Sequence, residues 1–194
     1  MSRNEILNAV KANQPTFSAL PESIPPDSDL SDMTDGFRQM AKAAGAECVE
    51  LRSVEEMRKR IETLKTALNI RSVYSELSKF GIDTVGCGRI VSAHEAKDID
   101  LAVIEGGIAV AENGAVWVSD ENIEYRACWF LAEHLALLVD RRNIVGNMQE
   151  AYRRVELKRP GFGCFLAGPS KTADIEQSLV IGAHGPRSVT VFLV

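Results

Sequence analysis

The segment GPSKT, at residues 168–172, contains the side chains of this sequence best suited to bind an anion. Ser170 and Thr172 offer hydroxyl donors, and Lys171 offers an ammonium. Gly168 and the proline after it interrupt the apolar run FGCFLA, which predicts a short strand that ends in a loop. The segment therefore predicts a loop that can hold a phosphate or a carboxylate.

A helix is predicted to follow this loop. Ser170 or Thr172 can cap it, Asp174 falls in its first turn, and Gly182 ends it. Free amides at a helix start bind anions, so they would complete the site. The same pattern also describes an ordinary capped helix without a ligand, and it lacks the GxxxxGK[ST] spacing of phosphate loops. The sequence leaves both interpretations open.

Two histidines and an arginine are candidates to act beside the loop. His184 lies in the segment AHGP, with Arg187 directly after it, and His134 precedes a strongly apolar strand. Each imidazole could act as an acid, a base or an anion partner. For His134, a hydrogen-bonded and partly buried imidazole with a structural role explains the position equally well.

Two acidic segments follow apolar runs and could approach one crevice, at residues 105–107 and 112–114. Glu112 opens the segment Glu-Asn-Gly, which is similar to the segment of coenzyme A transferases whose glutamate attacks a thioester. Glu112 is therefore a candidate catalytic nucleophile. Asn-Gly also predicts a type I′ turn in a hairpin, with a solvated Glu112 beside it.

Composition narrows the class of protein. The chain has 194 residues, 45% of them hydrophobic and 25% charged, with a net charge of −5. Such a chain fits a globular α/β protein and has no basic surface typical of nucleic-acid or membrane-surface binding. No apolar run is long enough to span a bilayer and no signal peptide is evident, so we expect a cytoplasmic protein.

No metal or redox centre is predicted in this chain. Its four cysteines, Cys48, Cys87, Cys128 and Cys164, form no CxxC pair, which argues against zinc and iron-sulfur sites. His94 and the following glutamate lack the second histidine of an HExxH zinc motif. We expect reduced thiols and no cofactor.

Helical and strand patterns alternate along most of the chain. They predict a three-layer α/β/α domain at residues 31–194, with a mainly parallel sheet and a hairpin insertion. Residues 1–30 are predicted to form an arm, with a short helix at 3–12 followed by a proline-bearing linker. The apolar face of that helix is expected to pack on its own domain or on a second subunit, which allows a homo-oligomer.

Three segments resemble one known family. GPSKTADIE, followed by VIGAHGP and a final strand, is similar to the closing signature of the lactate-utilisation (LUD) domain family. GIAVAENGAVWVS at 107–119 and AEHLALLVDRRNIV at 132–145 agree in order and position. Relatives commonly have ETGT where this chain has ENGA at 112–115, so two hydroxyls of that segment are absent here.

The resemblance implies a fold and a role. The fold is the Rossmann-like one of sugar-phosphate isomerases (the NagB and RpiA type) and coenzyme A transferases. The role is in a system that oxidises L-lactate to pyruvate with separate iron-sulfur subunits, this chain binding a small carboxylate or phosphorylated ligand. Two alternatives stay open: acyl or coenzyme A transfer through Glu112, and a non-catalytic assembly subunit.

Overall fold

The computed structural model describes residues 2–19, 30–86, 92–122, 125–155, 161–173, 179–182 and 184–194. The helices are α1 (Arg3–Ala12), α2 (Leu30–Ala43), α3 (Val54–Ala67), α4 (Ala127–Leu131) and α5 (Met148–Arg154). The strands are β1 (Glu47–Glu50), β2 (Val73–Ser75), β3 (Leu101–Gly106), β4 (Ala109–Val110), β5 (Ala115–Ser119), β6 (His134–Val139), β7 (Ile144–Val145), β8 (Gly163–Leu166), β9 (Lys171–Ala173), β10 (Leu179–Ile181) and β11 (Ser188–Leu193).

The main sheet has five parallel strands in the order β1-β11-β6-β3-β2. The chain begins at one edge with β1 and, after α3, reaches the opposite edge at β2. It then returns strand by strand, through β3 and β6 to β11. The carboxyl ends of all five strands therefore lie along one edge of the sheet, which we call the carboxyl edge, opposite the amino edge.

Alternate residues of the central strands fill two separate cores, because side chains on a strand point to opposite faces in turn. Helix α2 packs on one face through Phe37 and Ala41, and α3 packs on the other through Met57 and Ile61. The first face presents Ala102, Ile104, Leu135, Leu137, Val189 and Val191. The second presents Leu101, Val103, Ala136, Leu138 and Phe192. The predicted three-layer α/β arrangement is confirmed.

Side-chain caps fix the starts of two of these helices. The Ser53 hydroxyl accepts a hydrogen bond from the Glu56 amide at 3.2 Å before α3. The Asn147 side chain accepts one from the Glu150 amide at 2.9 Å before α5. Both side chains satisfy amides that have no partner inside their helix, and so fix where it begins.

A second sheet, in the order β7-β4-β5-β8, forms the predicted hairpin insertion. Strands β4 and β5 are antiparallel, and the pairing of Val110 with Ala115 leaves four residues between them. The expected two-residue type I′ turn is therefore wrong. Such a turn would also need a positive φ at both Asn113 and Gly114. Of these two only Gly114 has one, at 69°. The Asn113 side chain instead accepts a hydrogen bond from the Ala115 amide at 3.0 Å.

The helix predicted to begin at Ser170 or Thr172 and end near Gly182 is wrong. Residues 171–173 form β9, which pairs antiparallel with β10 at residues 179–181, and Asp174 lies outside the described residues. Strand β10 has the sequence Leu-Val-Ile, and β-branched residues favour an extended chain. A short apolar run does not by itself distinguish helix from strand. The cap residues before it favoured a helix, and that indication was misleading here.

The N-terminal segment makes little contact with the rest of the described chain. Helix α1 begins with a reciprocal capping box between Ser2 and Glu5, yet none of its residues is buried. Phe17, beyond its end, is 95% exposed. The domain boundary at residue 30 stays a prediction. None of the helices in the described ranges combines the length and apolarity needed to cross a membrane.

Candidate functional site

A crevice of about 470 Å³ lies at the carboxyl edge of the main sheet. Residues that directly follow β2 and β6 line it, together with the ends of β3 and β5. Its lining residues are Glu76, Ser78, Lys79, Glu105, Gly106, Gly107, Ser119, Asp140 and Asn143. Open α/β sheets bind ligands beyond the carboxyl ends of their strands, and this volume is typical of ligand sites. We call it the carboxyl-edge crevice.

Ion pairs hold two of its three carboxylates. The Lys79 ammonium contacts a Glu105 carboxylate oxygen at 2.8 Å, and both side chains are about half exposed. Asp140 accepts hydrogen bonds from the Arg142 side chain and from its backbone amide, which lowers the pKa of Asp140 to about 2. Asp140 is therefore negatively charged at neutral pH.

Glu76 differs from them in its surroundings. Its Oε1 accepts a hydrogen bond from the Tyr74 hydroxyl at 2.9 Å. Burial raises the pKa of Glu76 to about 7; the bond from Tyr74 opposes this effect and the charge of Glu105 adds to it. Near neutral pH this carboxyl can therefore take up or release a proton, which is a property of general acids and bases.

Of these lining residues, the sequence pattern predicted only Glu105, Gly106 and Gly107 near a crevice, and it did not indicate the others. The signal was present in the segments SELSK and VDRRN, which place polar residues directly after β2 and β6. The expectation that Glu112 approaches the same crevice as Glu105 was also wrong, because Glu112 is not among the described residues that line it.

Those predicted anion-binding residues that the structure describes lie at the opposite, amino edge of the sheet. His184 and Arg187 line a second pocket there, of about 380 Å³, which we call the amino-edge pocket. Arg187 forms an ion pair with Glu133, and the His184 residue is exposed. Lys97 adds a further positive charge to the lining. The pocket thus has cationic groups, but at the end of the strands where ligands are less common.

The loop itself is engaged by the rest of the chain. The Lys171 ammonium donates to the carbonyl of Ala44, after α2, at 2.6 Å. Ser170 bonds through its backbone to Pro186 and Gly182. At Gly168, where φ is 71°, a Cβ atom would lie 2.0 Å from the Ala44 oxygen. The Thr172 side chain is outside the described part of the structure. The described contacts join β9 to α2 and provide no helix-start anion site.

His134 is the first residue of β6, at the amino edge, as its position before an apolar run predicted. Its Nδ1 lies 2.7 Å from the Ser188 hydroxyl on the neighbouring strand β11. Burial lowers the pKa of His134, and the positive charge of Arg187 contributes, while Glu133 opposes the shift. These contacts favour a neutral, structural imidazole.

Glu112 lies at the start of α5 and not in the carboxyl-edge crevice. Its Oε2 accepts a hydrogen bond from the Met148 amide at 2.9 Å, and its own amide donates to Gly146. A carboxylate in this position satisfies a free helix amide and favours the positive end of the helix dipole. The contacts give Glu112 a capping role, and acyl transfer through it stays a prediction.

Cys48 and Cys164 are free thiols. Burial raises the pKa of Cys48 to about 11, although Arg38 opposes the shift, and burial also raises the pKa of Cys164. Within the described ranges, no cluster of three or more histidine, cysteine or acidic residues has metal-site geometry. Cys87 lies outside those ranges.

Comparison with known proteins identifies the family. The sequence profile of the LUD domain matches residues 88–194, which is more than half of the chain. The chain belongs to the LUD domain family. The match includes β3, β6, β11 and the whole second sheet, so most strands around the crevice lie within the LUD domain. Glu76 and Lys79 precede the matched residues.

Relatives of this LUD protein include several named lactate utilization protein C. That of Oceanobacillus iheyensis is 28% identical over 105 residues, which cover 51% of this chain and 45% of the relative. That of Geobacillus thermodenitrificans is 31% identical over 110 residues, covering 54% and 45%. The matched regions thus span less than half the length of these relatives.

A solved structure shares the fold. The crystal structure of a DUF162 family protein from Deinococcus radiodurans matches with a TM-score of 0.63 and 18% sequence identity. The alignment covers 86% of this chain and 99% of the other. At this identity the likeness supports the α/β fold that the LUD protein adopts and nothing about its ligand.

Proposed function

We propose that the chain is a ligand-binding subunit of a lactate-utilisation system. In this proposal separate iron-sulfur proteins oxidise L-lactate to pyruvate in the cytoplasm, and the present chain carries no cofactor of its own. Family membership and the names of the relatives support a role in lactate utilisation. The ligand is a small hydroxy- or oxo-carboxylate.

The composition of the carboxyl-edge crevice is the observation that carries the ligand assignment. Lys79 has three ammonium donors, so it can bind a ligand carboxylate while it keeps its contact with Glu105. Ser78, Ser119 and Asn143 add neutral hydrogen-bonding residues to the lining of the same crevice. A charged group for the carboxylate and neutral groups for a hydroxyl or oxo oxygen fit this class of ligand.

Growth on L-lactate tests the proposal in a host whose own copy of the gene has been deleted. The wild-type gene is expected to restore growth, Lys79→Ala is expected to fail, and Arg187→Ala at the amino-edge pocket serves as the matched control. Growth with Lys79→Ala but not with Arg187→Ala would indicate that the ligand binds in the amino-edge pocket instead. Normal growth of the deletion strain would refute the role in lactate utilisation.

An assembly role is the second candidate, and α1 favours it. Its apolar residues Ile6, Leu7 and Val10 are 49%, 43% and 56% exposed, so they are available to another protein. Removal of residues 2–19 should then abolish co-purification with the iron-sulfur subunits while the α/β domain stays folded. Unchanged co-purification would count against this role.

A further inference from the structure

One carboxylate of the carboxyl-edge crevice has no cationic partner among the described residues. The other two form the ion pairs described above, with Lys79 and Arg142. Glu76 is partly buried, and the hydrogen bond that its side chain makes comes from the neutral hydroxyl of Tyr74. The charge of Glu76 is therefore the least compensated in the crevice.

The electrostatics around Glu76 oppose a second negative charge. The charged and titratable groups around it are Tyr74 on β2, Lys79 after β2, Glu105 on β3 and Asp140 after β6. With Glu76 ionised, the lining residues carry three carboxylates and one ammonium. A ligand carboxylate would enter an already negative site, and like charges at short range repel strongly where water is partly excluded.

We infer that Glu76 takes up one proton from solvent when an anionic ligand enters the crevice, and that the resulting carboxyl group donates a hydrogen bond to that ligand. The inference rests on the proposed ligand site. The proton binds to a carboxylate oxygen of Glu76, one negative charge is removed, and the ligand keeps its own charge. Proton uptake thus converts a repulsive contact into a hydrogen bond.

The free energy needed for this uptake is small near neutral pH. Burial and Glu105 raise the pKa of Glu76 to about 7, against the bond from Tyr74, so about half of the free molecules already carry the proton. A bound anion raises that pKa further. Affinity should therefore rise as pH falls towards 7 and should weaken by up to about tenfold per pH unit above it.

Isothermal titration calorimetry with pyruvate and with L-lactate tests the inference on the full chain. Titrations near pH 7 in two buffers of different ionisation enthalpy report how many protons are taken up on binding. The wild type is expected to take up about half a proton per molecule, because roughly half of its Glu76 side chains start ionised. Glu76→Gln, which keeps a hydrogen-bond donor, is expected to bind without uptake and with a flat pH dependence. Glu62→Gln on α3, with an exposed side chain, is the matched control and should behave as wild type.

The outcomes separate the two proposals. Binding by the wild type without proton uptake, or the same uptake in Glu76→Gln, would overturn the inference and leave the ligand site standing. Absence of binding of both pyruvate and L-lactate to the wild type would overturn the ligand site and the inference together.

Discussion

At the residue scale, the sequences around Glu112 and Glu76 do not indicate what these side chains do in the fold. Glu112 stands in a segment that suggests catalysis, yet its carboxylate binds the first amide of α5. Glu76 stands in no recognisable motif, yet burial and the nearby Glu105 bring its pKa to about 7. The caps at Ser53 and Asn147 are within the range of local sequence patterns, because those contacts span three residues. They could not predict Glu76, whose neighbour on β3 is 29 positions away in the sequence.

The capping role of Glu112 predicts a stability effect. Glu112→Ala removes the acceptor for the Met148 amide, so the free energy of unfolding should fall by about 1 kcal/mol. Urea denaturation measures this, and Glu55→Ala, in the first turn of α3, is a control for loss of an exposed glutamate near a helix start. Unchanged stability together with loss of an acyl-transfer activity would instead favour the nucleophile interpretation.

At the element scale, the closing segment separates what sequence could predict from what it could not. The last strand was predicted, and the short strand before it was predicted to within one residue at each end, because both are compact apolar runs. The helix between them was wrong, since β9 and β10 depend on pairing with each other and on the contact of Lys171 with the end of α2. That contact joins residues 127 positions apart, beyond the range of any local pattern.

Asp100 links the starts of β2 and β3 and predicts a pH effect. Its carboxylate accepts hydrogen bonds from the amides of Arg71 and Ser72 at 2.6 and 2.9 Å. Burial raises the pKa of Asp100, but these bonds, the Ser72 hydroxyl and the charge of Arg71 together lower it below 3.8. A depressed pKa contributes stability above the unfolded value, and this contribution is lost as pH falls through the folded value.

Asp100→Asn should therefore be less stable than wild type at neutral pH, and the difference should shrink as pH falls below 3.8. Urea midpoints measured across this range check the expectation. Asp83→Asn, at an exposed position, is the control. A difference that stays constant or grows on acidification would contradict the linkage.

At the scale of the whole molecule, two cores on opposite faces of one sheet hold the carboxyl edge in place. Phe37 of α2 is fully buried in the core that also contacts the second sheet, whereas Phe17 of the arm is 95% exposed. Phe37→Ala should lower the free energy of unfolding by about 3–5 kcal/mol, and Phe17→Ala should change it by less than about 0.5 kcal/mol. Chemical denaturation compares them. A large loss in Phe17→Ala would show that the arm packs on the domain.

The alternation of strands and helices predicted this architecture, because each strand needs both faces covered. It did not predict which edge holds the site: the motif residues His184 and Arg187 lie at the amino edge, and the crevice lies at the other. Which loops meet at each edge is determined by the order and direction of the strands in the sheet, and the alternation of elements does not specify that order.

Backbone amide chemical shifts, followed by NMR during titration with pyruvate and L-lactate, test the ligand site most directly. The account predicts the largest changes at Gly106, Gly107 and Asn143 of the carboxyl-edge crevice. Changes concentrated at Gly182, Gly185 and Arg187 of the amino-edge pocket would contradict it.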